Sequence, residues 1–418
     1  MSEADAPRLT LELDHSPVVN YAMQQNSVPV VHRLGVRNEG DRPLEGVELR
    51  LWAEPDLAPA VEWRIESIPP GATHRLEPVD LPFSPLRLVN QEERELGELR
   101  LEVRRGVEVL AGLRRPLEVL AYCQWTGAGS LPSILAAFVL PNHPAVEKIL
   151  RSASDRLGLR TGSTALSGYQ SQNPARILET VRAIWDELAA AGLTYVESPA
   201  SFEAGGQKIR TPDRVLESGM GTCLDLSLLL AAAFEQAGLH PIVLLLDSHA
   251  LVGVWVAAEK FPASVVDDLL PIKKRVDLGD LLLLESTLLT SRARPGFDEA
   301  VEAGTAYLGE PGRFAYAIDV AAARLERIRP LPVRAGSWQP VPEAPGTSPP
   351  VAATPVGPLA AGPAPDSPPR ARLDRWKRKL LDLSLRNRFL HYRPTRKTVD
   401  LECPDLPRLA ALLGGGKE

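Results

Sequence analysis

Residues 219–247, GMGTCLDLSLLLAAAFEQAGLHPIVLLLD, constrain the fold more than any other stretch of the chain. Gly219 and Gly221 let the backbone turn tightly. The spacing beyond them predicts a helix from about Thr222 to Gln236, with Gly238 as its left-handed stop and Pro241 beyond. The apolar run PIVLLLD reads as a strand, SHALVGVWVAA opens a second, and DLLLLESTLL makes a third after a polar and charged insertion. A helix laid on an antiparallel sheet satisfies this order of elements, which makes the class α+β.

Upstream, residues 8–122 carry short alternating runs such as LTLELD, VELRLWAE and ELRLEVRR, separated by turn signals such as NEGDRPL and IPPGATH. They predict an antiparallel β-sandwich of immunoglobulin-like type. His32 and His74 lie in these patterns without a partner at metal-ligand spacing, so surface or packing roles are expected for both. Residues 131–328 read as a cysteine domain with a helical lead-in. LPSILAAFVLPNHPAVEKILRSASDRLG predicts two helices broken at Pro141, the second capped by Asn142 and ended by Gly158. NPARILETVRAIWDELAAAG predicts another, with Asn173 as cap, Pro174 in first position and Gly192 as stop. Its Ile177, Val181, Ile184 and Leu188 form one buried stripe. Residues 329–370 hold 13 prolines in 42 positions and predict an extended linker without a core, Trp338 being placed to dock on the preceding domain. In residues 371–418 helical periodicity resumes, with Leu373, Trp376, Leu380 and Leu383 beneath a basic face.

Cys223 falls in the first turn of its helix. Unpaired N–H groups and the positive end of the helix dipole favour a thiolate there, and the N–H of Cys223 can face an oxyanion. Position alone also fits a small buried residue. His249 stands at the mouth of the second strand, 26 residues after the cysteine, and Glu285 closes the third, 36 residues further on. On neighbouring strands these groups suit a Cys-His-acid triad, in which imidazole takes the thiol proton and the carboxylate holds the ring tautomer. Asp247, two residues before His249, is the rival acid. Asp225, in the first helical turn, is expected to be structural, and His240 to cap or lie at the surface. The three cysteines lie far apart with no CxxC pair, which argues against a disulfide framework or a zinc site; Cys123 and Cys403 are expected to be inert, and no metal or cofactor is expected.

RTPDRVLESGMGTCLDLSLLLAAAFEQAGLHP, DSHALVGVWV and LLLLEST, in this order, resemble the core of the transglutaminase-like superfamily, a papain-related cysteine fold whose triad runs Cys, His, Asp. The resemblance implies Cys223 as nucleophile, His249 as general base and Glu285 as orienting acid, with a protein or peptide substrate processed through a thioester. Glu285-Ser286-Thr287 departs from the family's Asp followed by a small or Pro-Thr step. Papain-like sites often draw an oxyanion donor from an upstream glutamine amide. That makes Gln207 and Gln170 candidates; each also reads as a loop-packing glutamine, and Gln207 has the shorter connection to the Cys223 helix. The alternative function is an inactive module of this fold that recruits protein or nucleic-acid partners.

From Arg370 to Thr398 eleven Lys or Arg face two acids, a local +9 against −6 for the whole chain, so the remainder sums to −15. This end alone looks built for polyanions. Arg386, Arg388, Arg393, Arg396 and Lys397, interleaved with Phe389, His391 and Tyr392, suit phosphates and stacked bases; they also fit a solvated helix face packed on a partner domain. RWKRKLLDLSLRNRFLHYRPTRK resembles the opening of an uncharacterised domain found ahead of superfamily I helicase cores in large bacterial proteins, which implies a helicase or nucleic-acid partner through residues 371–418. LAALLGGGKE arrives before a core is complete, so a shortened or split chain is expected. MSEADAPRLT has no apolar leader region and no later segment reads as a membrane span, so a cytoplasmic location without membrane contact is expected.

Overall fold

Period-two alternation in the first part of the chain folds as eight strands: β1 (Leu9–His15), β2 (Val18–Val19), β3 (Val31–Asn38), β4 (Leu44–Glu54), β5 (Ala58–Ile68), β6 (Thr73–Leu76), β7 (Glu95–Arg105) and β8 (Glu108–Val119). The structure, a computed structural model, describes residues 7–77, 79–127, 131–197, 206–293 and 295–333. The strands form two sheets in the orders β1-β3-β6 and β2-β8-β7-β4-β5. Pairing is antiparallel except between β2 and β8. Val47, Leu49, Leu51 and Ala53 of β4 point inward, as do Leu99, Leu101 and Val103 of β7, and they share one core with Val31, Leu34 and Val36 of β3. Between them Glu48, Arg50, Trp52 and Glu54 are only half-buried.

The helical lead-in differs from its sequence pattern in three places. Pro132–Phe138 is a 3₁₀-helix rather than an α-helix, with Ser133 through Phe138 all buried. The next helix, Pro144–Thr161, is capped by His143, whose Nδ1 accepts from Ala145 N at 3.2 Å, and not by Asn142. Pro144 occupies the first helical position, which moves the cap to its neighbour. Gly158 does not end this helix; Gly162, at φ 76°, does. A Cβ on Gly158 would lie 2.6 Å from Thr164 Cγ2, so that glycine admits the returning chain. Helix Pro174–Ala189 starts as its sequence suggests, with Asn173 Oδ1 accepting from Ala175 N at 3.0 Å, and buries Ile177, Val181, Ile184 and Leu188.

Four two-residue strands follow the sandwich: β9 (Gln124–Trp125), β10 (Thr194–Tyr195), β11 (Gln207–Lys208) and β12 (Met220–Gly221). β9 pairs antiparallel with β11, and β10 parallel with β12. Helix Pro212–Ser218 ends at Gly219, at φ 65°, and helix Cys223–Gln236 begins just beyond β12. All residues of that helix from Cys223 to Phe234 are buried. One side packs on a sheet and the other on the helices Pro144–Thr161 and Pro174–Ala189. The sheet comprises β13 (Pro241–Leu246), β14 (His249–Trp255), β15 (Val265–Val266), β16 (Leu281–Leu284) and β17 (Phe314–Asp319) in the order β15-β17-β13-β14-β16, antiparallel throughout. The chain is thus of mixed α+β class with a sheet-rich N-terminal region. Among the described residues no helix is long and apolar enough to cross a membrane.

Hydrogen bonds tie the sandwich to the chain that follows it and fasten the returning segment. Asn20 Nδ2 donates to Gln124 O at 2.8 Å, and the returning chain is held by Arg329 N to Asn26 Oδ1 at 2.7 Å, Gln25 Nε2 to Pro330 O at 2.8 Å and Leu331 N to Ala137 O at 2.8 Å. Helix Phe297–Ala306 lies directly on β16. A Cβ at Gly304 would sit 2.8 Å from Leu284 N and 2.9 Å from the Leu283 carbonyl, backbone that cannot yield as a side chain does. Gly304→Ala is therefore expected to cost about 1–3 kcal/mol in urea unfolding, as overpacking does. An unchanged midpoint would mean that the helix and strand separate freely.

Candidate active site

Thr222 and Asp225 fix the start of the Cys223 helix by a reciprocal cap. Thr222 Oγ1 accepts from Asp225 N at 3.1 Å, and Asp225 Oδ2 accepts from Thr222 N at 3.0 Å. Asp225, 1% exposed, also takes Arg210 N and Nη1, each at 2.9 Å. These bonds hold the first turn so that Cys223, itself 3% exposed, stands at the helix N-terminus. First-turn N–H groups have no carbonyl partner within a helix, and the dipole there favours negative charge.

His249 opens β14 opposite Leu246, across the turn of residues 247–248. Its Nε2–H donates to Glu285 Oε2 at 2.8 Å, which leaves Nδ1 as the ring atom free to face Cys223, the group that with Glu285 raises the proton affinity of the imidazole. Burial alone would lower the affinity of the imidazole for a proton. The interactions with Cys223 and Glu285 outweigh it and push the pKa up to about 9. Because the folded value is raised, the stabilisation this proton carries is complete below about pH 6.5 and is lost as pH rises through about 9. Glu285 follows β16, and its Oε1 accepts from Thr287 N at 2.9 Å and Thr287 Oγ1 at 2.6 Å. Burial works to raise its pKa, yet the bonds from His249 and Thr287 hold it below the ordinary carboxylate value. Asp247, the rival acid, is exposed in the turn, and the carboxylate on the imidazole is that of Glu285.

Two tyrosines that no sequence motif announces complete the surroundings. Tyr195 pairs with Gly221 through β10 and β12, which brings its phenol within electrostatic reach of Cys223. Burial, with the thiol next in weight, pushes its pKa up to about 12, so it is a neutral donor at physiological pH. Tyr307 lies with its ring 5.4 Å from that of His249 at 31°, and burial, with the Glu285 carboxylate next in weight, raises the pKa of its phenol. The Arg313 guanidinium sits 5.4 Å from the Tyr307 ring. Both contacts arise from strand pairing and tertiary packing over long sequence separations.

The two glutamines separate. Gln207, 4% exposed, donates from Nε2 to Thr222 Oγ1 at 3.0 Å, beside the nucleophile, and its Oε1 is buried with no partner among the described residues. Gln170 is exposed on the 3₁₀ turn Gly168–Ser171. A Cβ on Gly168 would lie 2.6 Å from Gly238 O, past the far end of the Cys223 helix, about 21 Å away at about 1.5 Å of rise per residue. Gln170 is therefore not brought to Cys223. Among the described residues no group of three or more His, Cys, Asp or Glu side chains could hold a metal ion. Arg386, Arg388, Arg393, Arg396, Lys397, Trp338 and Cys403 lie outside the described residues.

A family model described as a protein of unknown function, DUF4011, matches residues 379–418. No curated protein matches the chain. Among solved structures the chain is similar to a CARDB domain from Pyrococcus furiosus in complex with di-metal ions, at 16% identity over 28% of this chain and 90% of that one, with a TM-score of 0.18. It is also similar to an immunoglobulin-like protein from Pseudomonas aeruginosa, at 16% identity over 28% of this chain and 98% of that one, with a TM-score of 0.16. A putative protease from Parabacteroides distasonis is similar at 15% identity over 52% of this chain and 42% of that one, with a TM-score of 0.18. At these TM-scores the likenesses carry no conclusion about activity.

Proposed function

We propose that the chain is a thiol hydrolase with a papain-like, transglutaminase-like core behind an immunoglobulin-like sandwich, acting in the cytoplasm on peptide or isopeptide bonds. The observation that carries this reading is His249 hydrogen-bonded to the buried Glu285 carboxylate and electrostatically coupled to Cys223, which stands at a helix N-terminus. Thiol and imidazole share one proton; with it on His249 the sulfur is a thiolate and attacks the substrate carbonyl carbon. The N–H of Cys223 receives the oxyanion, with the Tyr195 hydroxyl and the Gln207 amide as further donors nearby. Collapse expels the amine, which takes its proton from His249, and leaves a thioester. His249 then removes a proton from water, whose oxygen attacks the thioester and releases the acid and the thiol. Glu285 stabilises the imidazolium throughout and stays ionised. Acyl transfer to an amine in place of water is the sibling outcome.

A non-catalytic interaction module is the second reading, favoured by the burial of Cys223 at 3% exposure. Limiting iodoacetamide followed by peptide mapping separates the two. A catalytic Cys223 takes up one equivalent ahead of Cys123 and Cys403, whereas labelling no faster than theirs sinks the hydrolase reading. The basic segment of residues 371–418 is proposed to bind nucleic acid or a helicase-type partner in a nucleic-acid-processing or defence system, through Arg386, Arg388, Arg393, Arg396 and Lys397.

A further inference from the structure

Two buried serines stand between the nucleophile and the acid, and the steps above use neither. Ser227 and Ser286 are both fully buried, and their hydroxyl oxygens lie 2.9 Å apart. Ser286 Oγ also donates to the carbonyl oxygen of Cys223 at 3.3 Å. A hydroxyl has one proton to give. With that of Ser286 on the carbonyl, Ser227 must be the donor between the two serines. Ser286 is the chain neighbour of Glu285, and Cys223 and Ser227 are one helical turn apart. Two hydrogen bonds thus tie the turn that carries the acid to the turn that carries the nucleophile. Other ties on Glu285 run elsewhere: its N–H donates to Ala300 O at 3.0 Å, its carbonyl accepts from Leu288 N at 3.3 Å, its Oε1 from Thr287 and its Oε2 from His249. Thr287 orients the carboxylate, while Ser286 locates the backbone from which it reaches.

We propose that Ser286 and Ser227 form a positioning relay that sets the reach from Glu285 through His249 to Cys223. The inference rests on the Cys-His-Glu reading of the site. Removal of the Ser286 hydroxyl strands no buried group. The Cys223 carbonyl keeps its own helical partner four residues on, and the Ser227 hydroxyl can turn back to a carbonyl of its preceding turn. The relay therefore governs geometry more than stability. A shift of under an ångström in the acid lengthens the bond to His249, and misplacement on that scale costs catalytic groups up to about 100-fold.

The test uses the full chain and three readings: the rate of Cys223 alkylation by iodoacetamide against pH, the His249 imidazole titration by NMR, and the thermal midpoint. The groups facing His249 are Cys223, Glu285 and Tyr307, with Tyr195 on the thiol and Arg313 over Tyr307, and none is altered. Ser286→Ala is expected to slow alkylation about tenfold and to move the His249 midpoint down toward the ordinary imidazole value, with little change in thermal midpoint. Ser227→Ala, which keeps the bond from Ser286 to Cys223, is expected to move both in the same direction by less. It also serves as the folded variant if Ser286→Ala does not fold. A His249 midpoint that stays put in the folded variants overturns the relay, whatever happens to stability. Wild-type Cys223 reacting no faster than Cys123 or Cys403 instead refutes the underlying reading of the site, so the two failures are distinct.

Discussion

Replacing His249 by alanine is expected to slow alkylation of Cys223 on the order of 50-fold at pH 6, where an ordinary thiol is only about 0.3% ionised. The imidazole is protonated up to about pH 9 through its coupling to Cys223 and Glu285. With the ring removed, no group on β14 takes up the thiol proton, and only the helix terminus still favours the anion. Glu285→Gln is expected to fall between wild type and His249→Ala, because the amide can accept from Nε2–H but offers the imidazolium no charge. A His249→Ala rate equal to that of wild type would mean that the ring and the thiol are neighbours without being coupled.

The largest effect on stability is expected from Asp319→Asn. Asp319 is fully buried at the end of β17. Its Oδ2 accepts from Trp255 Nε1 at 3.1 Å and Phe261 N at 2.8 Å, and its Oδ1 accepts from Ala322 N at 2.9 Å. The carboxylate thus fastens the far end of β14, the start of the insertion and the cap of helix Val320–Leu325 at one point. An asparagine has one acceptor and would turn N–H groups toward N–H groups, leaving at least one buried donor without a partner. The expected loss is about 3 kcal/mol in urea unfolding, from unpaired buried groups at about 1–3 kcal/mol each. Burial holds the Asp319 pKa above the ordinary carboxylate value. The sign follows: its titration favours the fold most below about pH 3.9, and that part is lost as pH rises through the folded value. An unchanged unfolding midpoint in Asp319→Asn would show that the three donors find other partners.

Much of the Cys223 region was legible because its signals are local. The helix start near Thr222 and the Gly238 stop are where the sequence puts them, and a carboxylate ending an apolar strand marks Glu285, while the Thr222–Asp225 cap itself is seen only in the structure. The sequence puts Glu285 ahead of Asp247, and it is the Glu285 carboxylate that meets the ring, Asp247 being exposed in the turn. β15 and β17 escaped notice because two residues in one case, and a short run closing on a buried aspartate in the other, fall below any periodicity signal. Tyr195, Tyr307 and Ser286 reach the site through partners far away in sequence, so no spacing rule finds them. The lead-in shows the opposite failure. Pro144 shifts the cap to His143, and Gly158 is needed for Thr164 rather than for a helix end, so local signals pointed one residue or one turn astray. The same ambiguity left Gln170 beside Gln207 until packing put it past the far end of the helix.

The coupling of Cys223, His249 and Glu285 is tested most directly by NMR titration of the His249 imidazole in wild type, Cys223→Ser and Glu285→Gln. A midpoint of about 9 in the wild type, falling in both variants, is the predicted result. A midpoint near the ordinary imidazole value of about 6.5 in all three would contradict the account.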